Sequence, residues 1–463
     1  MYRSLIVIAP AAIIWFIPAP SGLSIQAWHL FAIFAATIIG FILQPLPLGA
    51  VALTSICFAS LSGTIKPSMA LSGFSNTTIW LIVCAFLFAK GFIKTGLGRR
   101  IAYQLIAWFG TSSLKLAYIL SLSDLIISPA TPSNTARSGG IMFPIVKSLA
   151  LAFNSKPGLT ARNIGSFLLT SSFQADAPIA AMFLTACAPN LLMMSFAADT
   201  AGIDLNWGLW AMAGIVPGLL SLLTIPAFIY KIYPPTIKKT SAAQQVARDE
   251  LKMMGPMSRG EKIISAIFVG ALLLWSTSQF TNIHAMTVAL LGVIVMLFTK
   301  VLEWDDVLSE KSAWDGMIWM GGIVGLADSL NKLGFIPWFA ESVTSSLGGI
   351  DWYITLGILF LIYLYSHYIF ASLSAHATAM YAAFLAVAVA VGAPPYMAAM
   401  GLAVLSNLMA GLTHYSTGAA PIYFNTGYVS QKDWWRIGFA CSVLNFIIWI
   451  GIGSMWWKVI GLW

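Results

Sequence analysis

Long apolar runs, separated by short polar segments, fill most of this chain. A helix crosses the hydrocarbon core of a bilayer with about 20 mainly apolar residues, and the runs provide roughly ten to twelve such helices besides shorter pieces. Lipid offers no hydrogen-bond partner to an exposed amide, so spanning segments of this kind are helical. The pattern therefore predicts an all-α protein that crosses the membrane many times.

Composition agrees with this interpretation. The 463 residues are 59% hydrophobic and 9% charged, whereas soluble domains are about 45–50% apolar and about 25% charged. The formal net charge of +8 lies mainly in short loops beside helix ends, so it does not indicate nucleic acid as a partner. The four cysteines are scattered through apolar segments, which predicts neither disulfides nor a metal site.

The densest basic segment, residues 231–262, divides the chain into an N-terminal membrane half, residues 1–230, and a C-terminal membrane half, residues 263–463. By the positive-inside rule, this basic segment is a cytoplasmic loop. The two halves have similar patterns, because Trp80 and Trp319 are each followed, at nearly the same distance, by a Lys-x-Gly sequence. Internal repetition is therefore expected, with chance similarity between apolar helices as the alternative.

Each half also contains two polar, helix-breaking interruptions of an apolar run. They are residues 132–140 and 185–190 in the first half, and residues 370–378 and 413–421 in the second. Irregular backbone at membrane depth is tolerated only where protein or a water-filled cavity surrounds it. Broken segments at corresponding positions of two halves indicate the substrate site of a transporter.

The first interruption has the chemistry of an anion site. Where a broken helix restarts, its first amides lack partners and favour a carboxylate, and Ser133, Asn134 and Thr135 add side-chain donors there. This helix start at residues 133–135 is the first tip, and a second tip between Ser374 and Thr378 would hold a second carboxylate. The pattern therefore predicts a dicarboxylate ligand.

Ordinary helix capping is the alternative function of a Ser-Asn-Thr sequence. The same letters at residues 75–77 follow a loop, so we interpret them as the cap of the helix that carries Trp80.

Charged and imidazole side chains also fall at the interruptions. An arginine inside the membrane is costly enough to be a functional hypothesis by default, and Arg137 would neutralise a bound dianion. Its alternative is an ion pair with Asp124 or Asp176, and these acids could instead relay protons. His376 and His414 lie in the second-half interruptions, where an imidazole can donate a hydrogen bond to a carboxylate.

These motifs resemble the divalent anion/sodium symporter family, whose members carry succinate, malate, 2-oxoglutarate and citrate. The resemblance spans nearly the whole chain and is most specific at residues 74–98, 132–137 and 413–424. The sequences Pro-Ser-Asn-Thr-Ala-Arg, Ser-Ala-His-Ala and Thr-His-Tyr-Ser-Thr-Gly look most like the exchanger branch, which includes 2-oxoglutarate/malate translocators and citrate/succinate antiporters.

This resemblance implies an architecture of two inverted repeats, each with a re-entrant hairpin and a broken helix. It also implies a homodimer in which every protomer has a scaffold domain and a transport domain that moves like an elevator. Asn190 would lie on the broken helix of the first half. The predicted substrate-binding residues are Ser133, Asn134, Thr135, Arg137, Asn190, Ser374, His376, Thr378 and Thr417.

The second half departs from the symporter pattern, because Ala375-His376-Ala377 stands in place of the second Ser-Asn-Thr motif. A hard cation prefers oxygen ligands, and this replacement removes side-chain oxygens. We therefore expect the second sodium site to be absent.

The sequence thus predicts a sodium-independent exchanger of dicarboxylates, with tricarboxylates as a wider substrate class, in a bacterial-type inner (cytoplasmic) membrane. A sodium-coupled symporter is the alternative, and a passive channel is a further one. No cofactor, metal or nucleic acid is expected; the partners are the anions, the bilayer and a second copy of the chain. An enzyme is not expected, because the spans contain no HExxH, no GxSxG and no usefully spaced pair of carboxylates.

Overall fold

The computed structural model describes residues 2–346 and 351–463, without the side chains of residues 2–5, 279 and 344–346. Within these ranges the chain is helical and contains no β-strand beyond an isolated bridge between Ser112 and Lys239. The helices before the basic segment are α1 (Tyr2–Phe16), α2 (Ile25–Leu43), α3 (Leu48–Leu61), α4 (Pro67–Ala70), α5 (Thr77–Thr95), α6 (Leu97–Phe109), α7 (Ser113–Ile127), α8 (Phe143–Ala152), α9 (Gly165–Met182), α10 (Ala188–Ala201) and α11 (Trp207–Ile232). The later helices are α12 (Ser241–Met254), α13 (Arg259–Ser276), α14 (Ser278–Thr281), α15 (Ala285–Phe298), α16 (Trp304–Ser309), α17 (Lys311–Lys332), α18 (Phe335–Ser346), α19 (Trp352–Tyr365), α20 (Leu373–Ala390), α21 (Pro395–Leu408), α22 (Ala420–Phe424), α23 (Gln431–Phe446) and α24 (Gly453–Val459).

Seven helical stretches of the described residues are long and apolar enough to cross a membrane. They are Ile25–Leu43, Thr77–Thr95, Ser113–Ala130, Trp207–Ile232, Trp352–Ile369, Leu373–Ala390 and Gln431–Val459. Four shorter apolar helices of the described residues, each of 10–17 residues, accompany them. The all-α, multi-pass prediction is confirmed, and fewer helices are long enough to cross alone than the pattern predicted.

Four breaks interrupt these helices, and each begins with a single 3₁₀ turn. The turns are Ser128–Ala130, Leu184–Ala186, Ser366–Ile369 and Met409–Gly411. Proline contributes to the first break, because Pro129 and Pro132 lack an amide hydrogen and because Thr131, which precedes Pro132, is extended, as residues before proline usually are. Each break falls in or just before a predicted interruption. Helix resumes early in two of these interruptions, at Asn134 and at Leu373, and the segment Thr135–Met142 is π-helical.

Helix α9 lies in the interior, although its sequence contains many polar residues. Every one of its residues is buried, and it contacts α7, α8, α11 and α21. A helix that is buried all round has no lipid-facing or solvent-facing side. Two of its polar side chains find partners at the breaks: Gln174 donates to the Gly411 carbonyl, and Asp176 accepts from Arg137 and Asn134.

The earlier Ser-Asn-Thr copy caps a helix, as the sequence indicated. Asn76 precedes α5, and its side-chain oxygen accepts a hydrogen bond from the amide of Thr78 at 2.8 Å. The basic segment 231–262 contains α12 and the start of α13, and its cytoplasmic placement stays a prediction. Helix α12 has an apolar side that packs against α6, which gives this part of the segment a folded structure.

An ion pair joins α6 to the first turn of α13. Arg100 donates to the buried Glu261 through Nε (2.6 Å) and Nη2 (3.2 Å), and Ser258 donates its amide to the same carboxylate at 2.7 Å. Burial raises the pKa of Glu261, but the hydrogen bonds from Arg100 and Ser258 outweigh it and hold that pKa below its ordinary value. Because the folded-state pKa is the lower one, this stabilisation is present at neutral pH and is lost as the pH falls below the ordinary carboxyl range.

We expect Glu261→Gln to lower the free energy of unfolding by about 1.5–3 kcal/mol at pH 7, because the hydrogen bonds lose their charged acceptor. Thermal unfolding of the unmodified protein and of Glu261→Gln between pH 7 and pH 4 measures this loss. The difference in stability between the two proteins should shrink towards pH 4. Glu250→Gln is the matched control, since Glu250 pairs with Arg99 at 3.5 Å and this pair is more exposed. An equal loss in both variants would contradict the prediction.

Candidate functional site

The first break ends in a capped helix start. Ser133 Oγ accepts a hydrogen bond from the amide of Ala136 at 3.2 Å, and the Ser133 carbonyl accepts one from the amide of Arg137 at 2.9 Å. Ser133 thus takes the capping function that was the alternative to substrate binding. Thr135, two residues on, has an exposed side chain.

Asn134 is oriented by a neighbour on α9. Its Nδ2 donates to Asp176 Oδ2 at 3.0 Å, whereas its buried Oδ1 has no hydrogen-bond partner in the part of the chain that the structure describes. The predicted donor is therefore directed at Asp176. What Asn134 leaves free is an acceptor.

Arg137 lies at the centre of a buried ionic network. Its Nε donates to Asp124 Oδ1 at 2.8 Å, and its Nη2 donates to Asp176 Oδ1 at 2.7 Å. Nη1 donates to two backbone carbonyls, Thr131 at 3.0 Å and Ala186 at 2.7 Å, which belong to the first and second breaks. These contacts are the ion-pair alternative considered above, and they satisfy carbonyls that the broken helices leave free.

The two breaks of the first half lie against each other. The amide of Ala188 donates to the Pro132 carbonyl at 2.7 Å, and Thr185 Oγ1 donates to the Pro129 carbonyl at 2.7 Å. Backbone groups that neither helix can satisfy are therefore paired across the breaks.

Asn190 connects this pair of breaks to the second half. Its Nδ2 donates to the carbonyls of Ala180 (2.8 Å) and Phe183 (3.0 Å), and its Oδ1 accepts from Asn407 Nδ2 at 2.7 Å. Asn407 precedes the fourth break, in α21. Sequence reasoning did not find this partner, although an amide in an apolar helix one turn before a break was a usable signal.

The third break restarts in the same way as the first. Ser372 Oγ accepts from the amide of Ala375 at 3.3 Å, and the Ser372 carbonyl accepts from the amide of His376 at 3.1 Å. The positions of the two caps therefore pair Ser372 with Ser133 and His376 with Arg137.

Aligning the two caps gives a register for the second tip that differs from the one that the sequence suggested. Matching from the Trp residues placed His376 opposite Asn134, but the caps place Leu373 opposite Asn134 and Ser374 opposite Thr135. Spacings inferred across long apolar segments shift with small differences in loop length, whereas a cap marks a defined backbone position.

His376 is completely buried behind the second tip. Its Nε2 hydrogen-bonds with Ser366 Oγ at 2.9 Å, and the rings of Tyr363, His367 and Phe370 surround it at centroid distances of 4.6, 5.3 and 4.7 Å. Its Nδ1 has no hydrogen-bond partner among the residues described. In this structure His376 supports the tip from inside.

The remaining second-half candidates have local contacts. Thr378 Oγ1 donates to the Ser374 carbonyl at 2.7 Å, and Thr378 also lines a cavity of about 110 Å³ beside Asn331. His414 Nδ1 accepts from Trp435 Nε1 at 3.1 Å, which indicates a packing role.

The fourth break meets the first tip. Thr417 Oγ1 accepts from the amides of Ala419 (3.1 Å) and Ala420 (3.3 Å). Next to it, a Cβ atom at Gly418 would overlap Oγ1 of Thr135. The structure thus brings Thr135 together with Gly418, and Asn190 together with Asn407.

Comparison with known proteins places this geometry in a family. The family described as "Sodium:sulfate symporter transmembrane region" matches residues 1–463. YflS of Bacillus subtilis is 52% identical over 460 residues, covering 99% of this chain and 96% of YflS. Dicarboxylate transporter 1, chloroplastic, of Spinacia oleracea is 47% identical, covering 98% of this chain and 81% of the relative.

The fold is also found among solved structures. MtrF of Neisseria gonorrhoeae superposes with a TM-score of 0.58 at 12% sequence identity, covering 98% of this chain and 93% of MtrF. At that identity the likeness extends to the fold alone. Because the family match covers the whole chain, this protein belongs to the sodium:sulfate symporter family, the divalent anion/sodium symporters that its motifs resemble, and it is a membrane transporter and not an enzyme.

Proposed function

We propose that this chain exchanges dicarboxylate anions across the membrane independently of sodium, with succinate, malate or 2-oxoglutarate as the substrate class and tricarboxylates as a wider class. The contact between the first tip and the fourth break carries the proposal. There a capped helix start presents the exposed Thr135 hydroxyl against Gly418, and helix starts favour anions. The 47% identity to a chloroplast dicarboxylate transporter supports the same substrate class.

The order of elements supports an arrangement in two repeats. In the first half α7, a break and the segment leading to α8 are followed by α9, a break and α10; in the second half α19, a break and α20 are followed by α21, a break and α22. We propose that these are the two inverted repeats with their hairpins, within the halves 1–230 and 263–463. A homodimer with an elevator-like transport domain, in an inner membrane, is the corresponding assembly.

Sodium independence is supported by the second tip. The caps place Leu373 where the first tip has Asn134, and His376 presents no oxygen. A hard cation prefers several oxygen ligands, and this tip offers fewer side-chain oxygens than a second Ser-Asn-Thr sequence would.

An exchanger requires that its empty carrier crosses the membrane poorly, and a fixed positive charge in the empty site would have this effect, because moving it through apolar surroundings is costly. Arg137 meets two carboxylates, so an uncompensated positive charge in the empty site does not come from Arg137. If a charge barrier holds back the empty carrier, then it arises from other groups of the site.

A sodium-coupled symporter is the second candidate function. The observation that favours it is the free Oδ1 of Asn134, because a buried oxygen acceptor suits a cation as well as a substrate hydroxyl.

Proteoliposomes distinguish the two functions. We expect uptake of labelled succinate or 2-oxoglutarate to require unlabelled dicarboxylate inside the vesicles and to be equal in sodium and potassium. Vesicles loaded with a monocarboxylate, and vesicles without protein, are the controls. Uptake into vesicles without internal dicarboxylate, driven by a sodium gradient, would overturn the exchanger and support the symporter.

A further inference from the structure

The network around Arg137 contains more acidic than basic groups. Asp124, Arg137 and Asp176 are all almost completely shielded, with 3%, 0% and 2% of their surfaces exposed. One guanidinium and two ionised carboxylates would leave a net charge of −1 inside the protein. An uncompensated buried charge is strongly destabilising, and in this place it would also repel a bound dianion.

The two carboxyl groups differ in the donors they receive. Both oxygens of Asp176 accept hydrogen bonds, Oδ1 from Arg137 Nη2 at 2.7 Å and Oδ2 from Asn134 Nδ2 at 3.0 Å. Asp124 accepts from Arg137 Nε, through Oδ1. Asp176 therefore has the surroundings of an ionised carboxylate.

Arg137 Nε and Nη2 lie on the same edge of the planar guanidinium and point in nearly parallel directions, so the two oxygens that accept from them, Asp124 Oδ1 and Asp176 Oδ1, lie side by side. Ionised carboxylates are acceptors only, so a hydrogen bond between the two groups needs a proton on one of them. We propose that this proton resides on Asp124, which donates it to Asp176, so that the network of Asp124, Arg137 and Asp176 is electrically neutral.

Two other titratable side chains, those of Tyr423 and Cys187, lie near the network. Tyr423 donates its hydroxyl hydrogen to the Ser138 carbonyl at 3.1 Å, and the Cys187 thiol is buried beside Arg137. Neither group carries a positive charge, so neither replaces the proton on Asp124. A neutral network next to the first tip would let a dianion approach without repulsion, a consequence that rests on the proposed function.

The assignment predicts an asymmetry between two isosteric substitutions. An asparagine at position 124 can accept from Arg137 through its oxygen and donate to Asp176 through its nitrogen, as the protonated acid does. An asparagine at position 176 cannot accept both hydrogen bonds that Asp176 accepts, because its side-chain nitrogen would face an N–H donor of either Arg137 or Asn134. It would also remove the negative charge that balances Arg137.

We expect the exchange rate of Asp124→Asn to stay within about threefold of the rate of the unmodified protein. Expressed as a free energy, this is less than half of a tenfold change. Asp176→Asn should lose at least about tenfold, because it leaves the guanidinium without its ionised partner. Infrared spectra of the purified protein provide an independent readout. The band of a protonated carboxylic acid should be present, should shift on ¹³C-aspartate labelling and should be missing from Asp124→Asn.

Three outcomes would overturn the assignment. They are an equal loss in the two variants, a protonated-acid band that persists in Asp124→Asn, and no such band in the unmodified protein. If Asp124→Asn does not fold, the labelled spectrum of the unmodified protein still decides whether a protonated aspartic acid exists. If the unmodified protein exchanges no dicarboxylate, the proposed function fails while the infrared spectra still decide where the proton lies.

Discussion

Replacing Arg137 by glutamine is expected to abolish dicarboxylate exchange and to lower the free energy of unfolding by about 3–5 kcal/mol, the cost of breaking a buried ion pair from one side. The guanidinium binds Asp124 and Asp176 as well as the carbonyls of Thr131 and Ala186. Without it, two buried acids and two break carbonyls lose their common donor. The first tip should then lose its position relative to the second break.

Thermal unfolding in detergent and exchange in proteoliposomes measure these two effects. Arg436→Gln is the matched control, because Arg436 is 59% exposed and pairs with Asp433 only three residues earlier, and exposed pairs contribute about 0–1 kcal/mol. Arg137→Lys should be intermediate, since a lysine keeps the charge but cannot bridge two carboxylates and two carbonyls. An Arg137→Gln protein with unchanged melting and exchange would contradict the role of the network.

Replacing Gly438 by alanine is the second substitution with a large expected effect. A Cβ at this position in α23 would overlap the carbonyl oxygen of Gly411 and lie 2.9 Å from that of Leu412. Both carbonyls belong to the fourth break, and the Gly411 carbonyl also accepts from Gln174 Nε2 at 2.9 Å. Backbone atoms cannot rotate away as a side chain can, so α23 or the break must move.

Overpacking of this kind costs about 1–3 kcal/mol, and we expect exchange to fall by at least about tenfold, because the break that meets Thr135 is displaced. Gly270→Ala is the control, since among the described residues no atom outside its own stretch of helix lies within 4 Å of a Cβ there. The substitution Gly270→Ala, in α13, should be neutral or should stabilise the protein by up to about 1 kcal/mol, which is the difference in helix propensity between glycine and alanine. Equal behaviour of the two variants would show that the contact with Gly411 is unimportant.

Much of this protein follows from local sequence. Apolar runs require spanning helices because lipid cannot satisfy a free amide, and the prolines at 129 and 132 locate the first break because they lack an amide hydrogen. The cap at Asn76 could also be predicted, because a cap bonds to an amide two residues away.

The length of each helix was less predictable. Helix resumes at Leu373 within a segment that looked irregular, since residues that can start a break can also cap the helix that follows it. Likewise, the basic segment contains α12, whose helical structure depends on packing its apolar side against α6.

The sequence by itself determined the membrane class, the approximate places of the four breaks and the family. These properties depend on residues close together in the chain. Only the tertiary structure decided that Arg137 pairs with both Asp124 and Asp176, that His376 lies behind the second tip, and that Thr135 meets Gly418. Such pairings join segments that are distant in sequence, and they are fixed by how helices pack and by the need of every buried polar group for a partner.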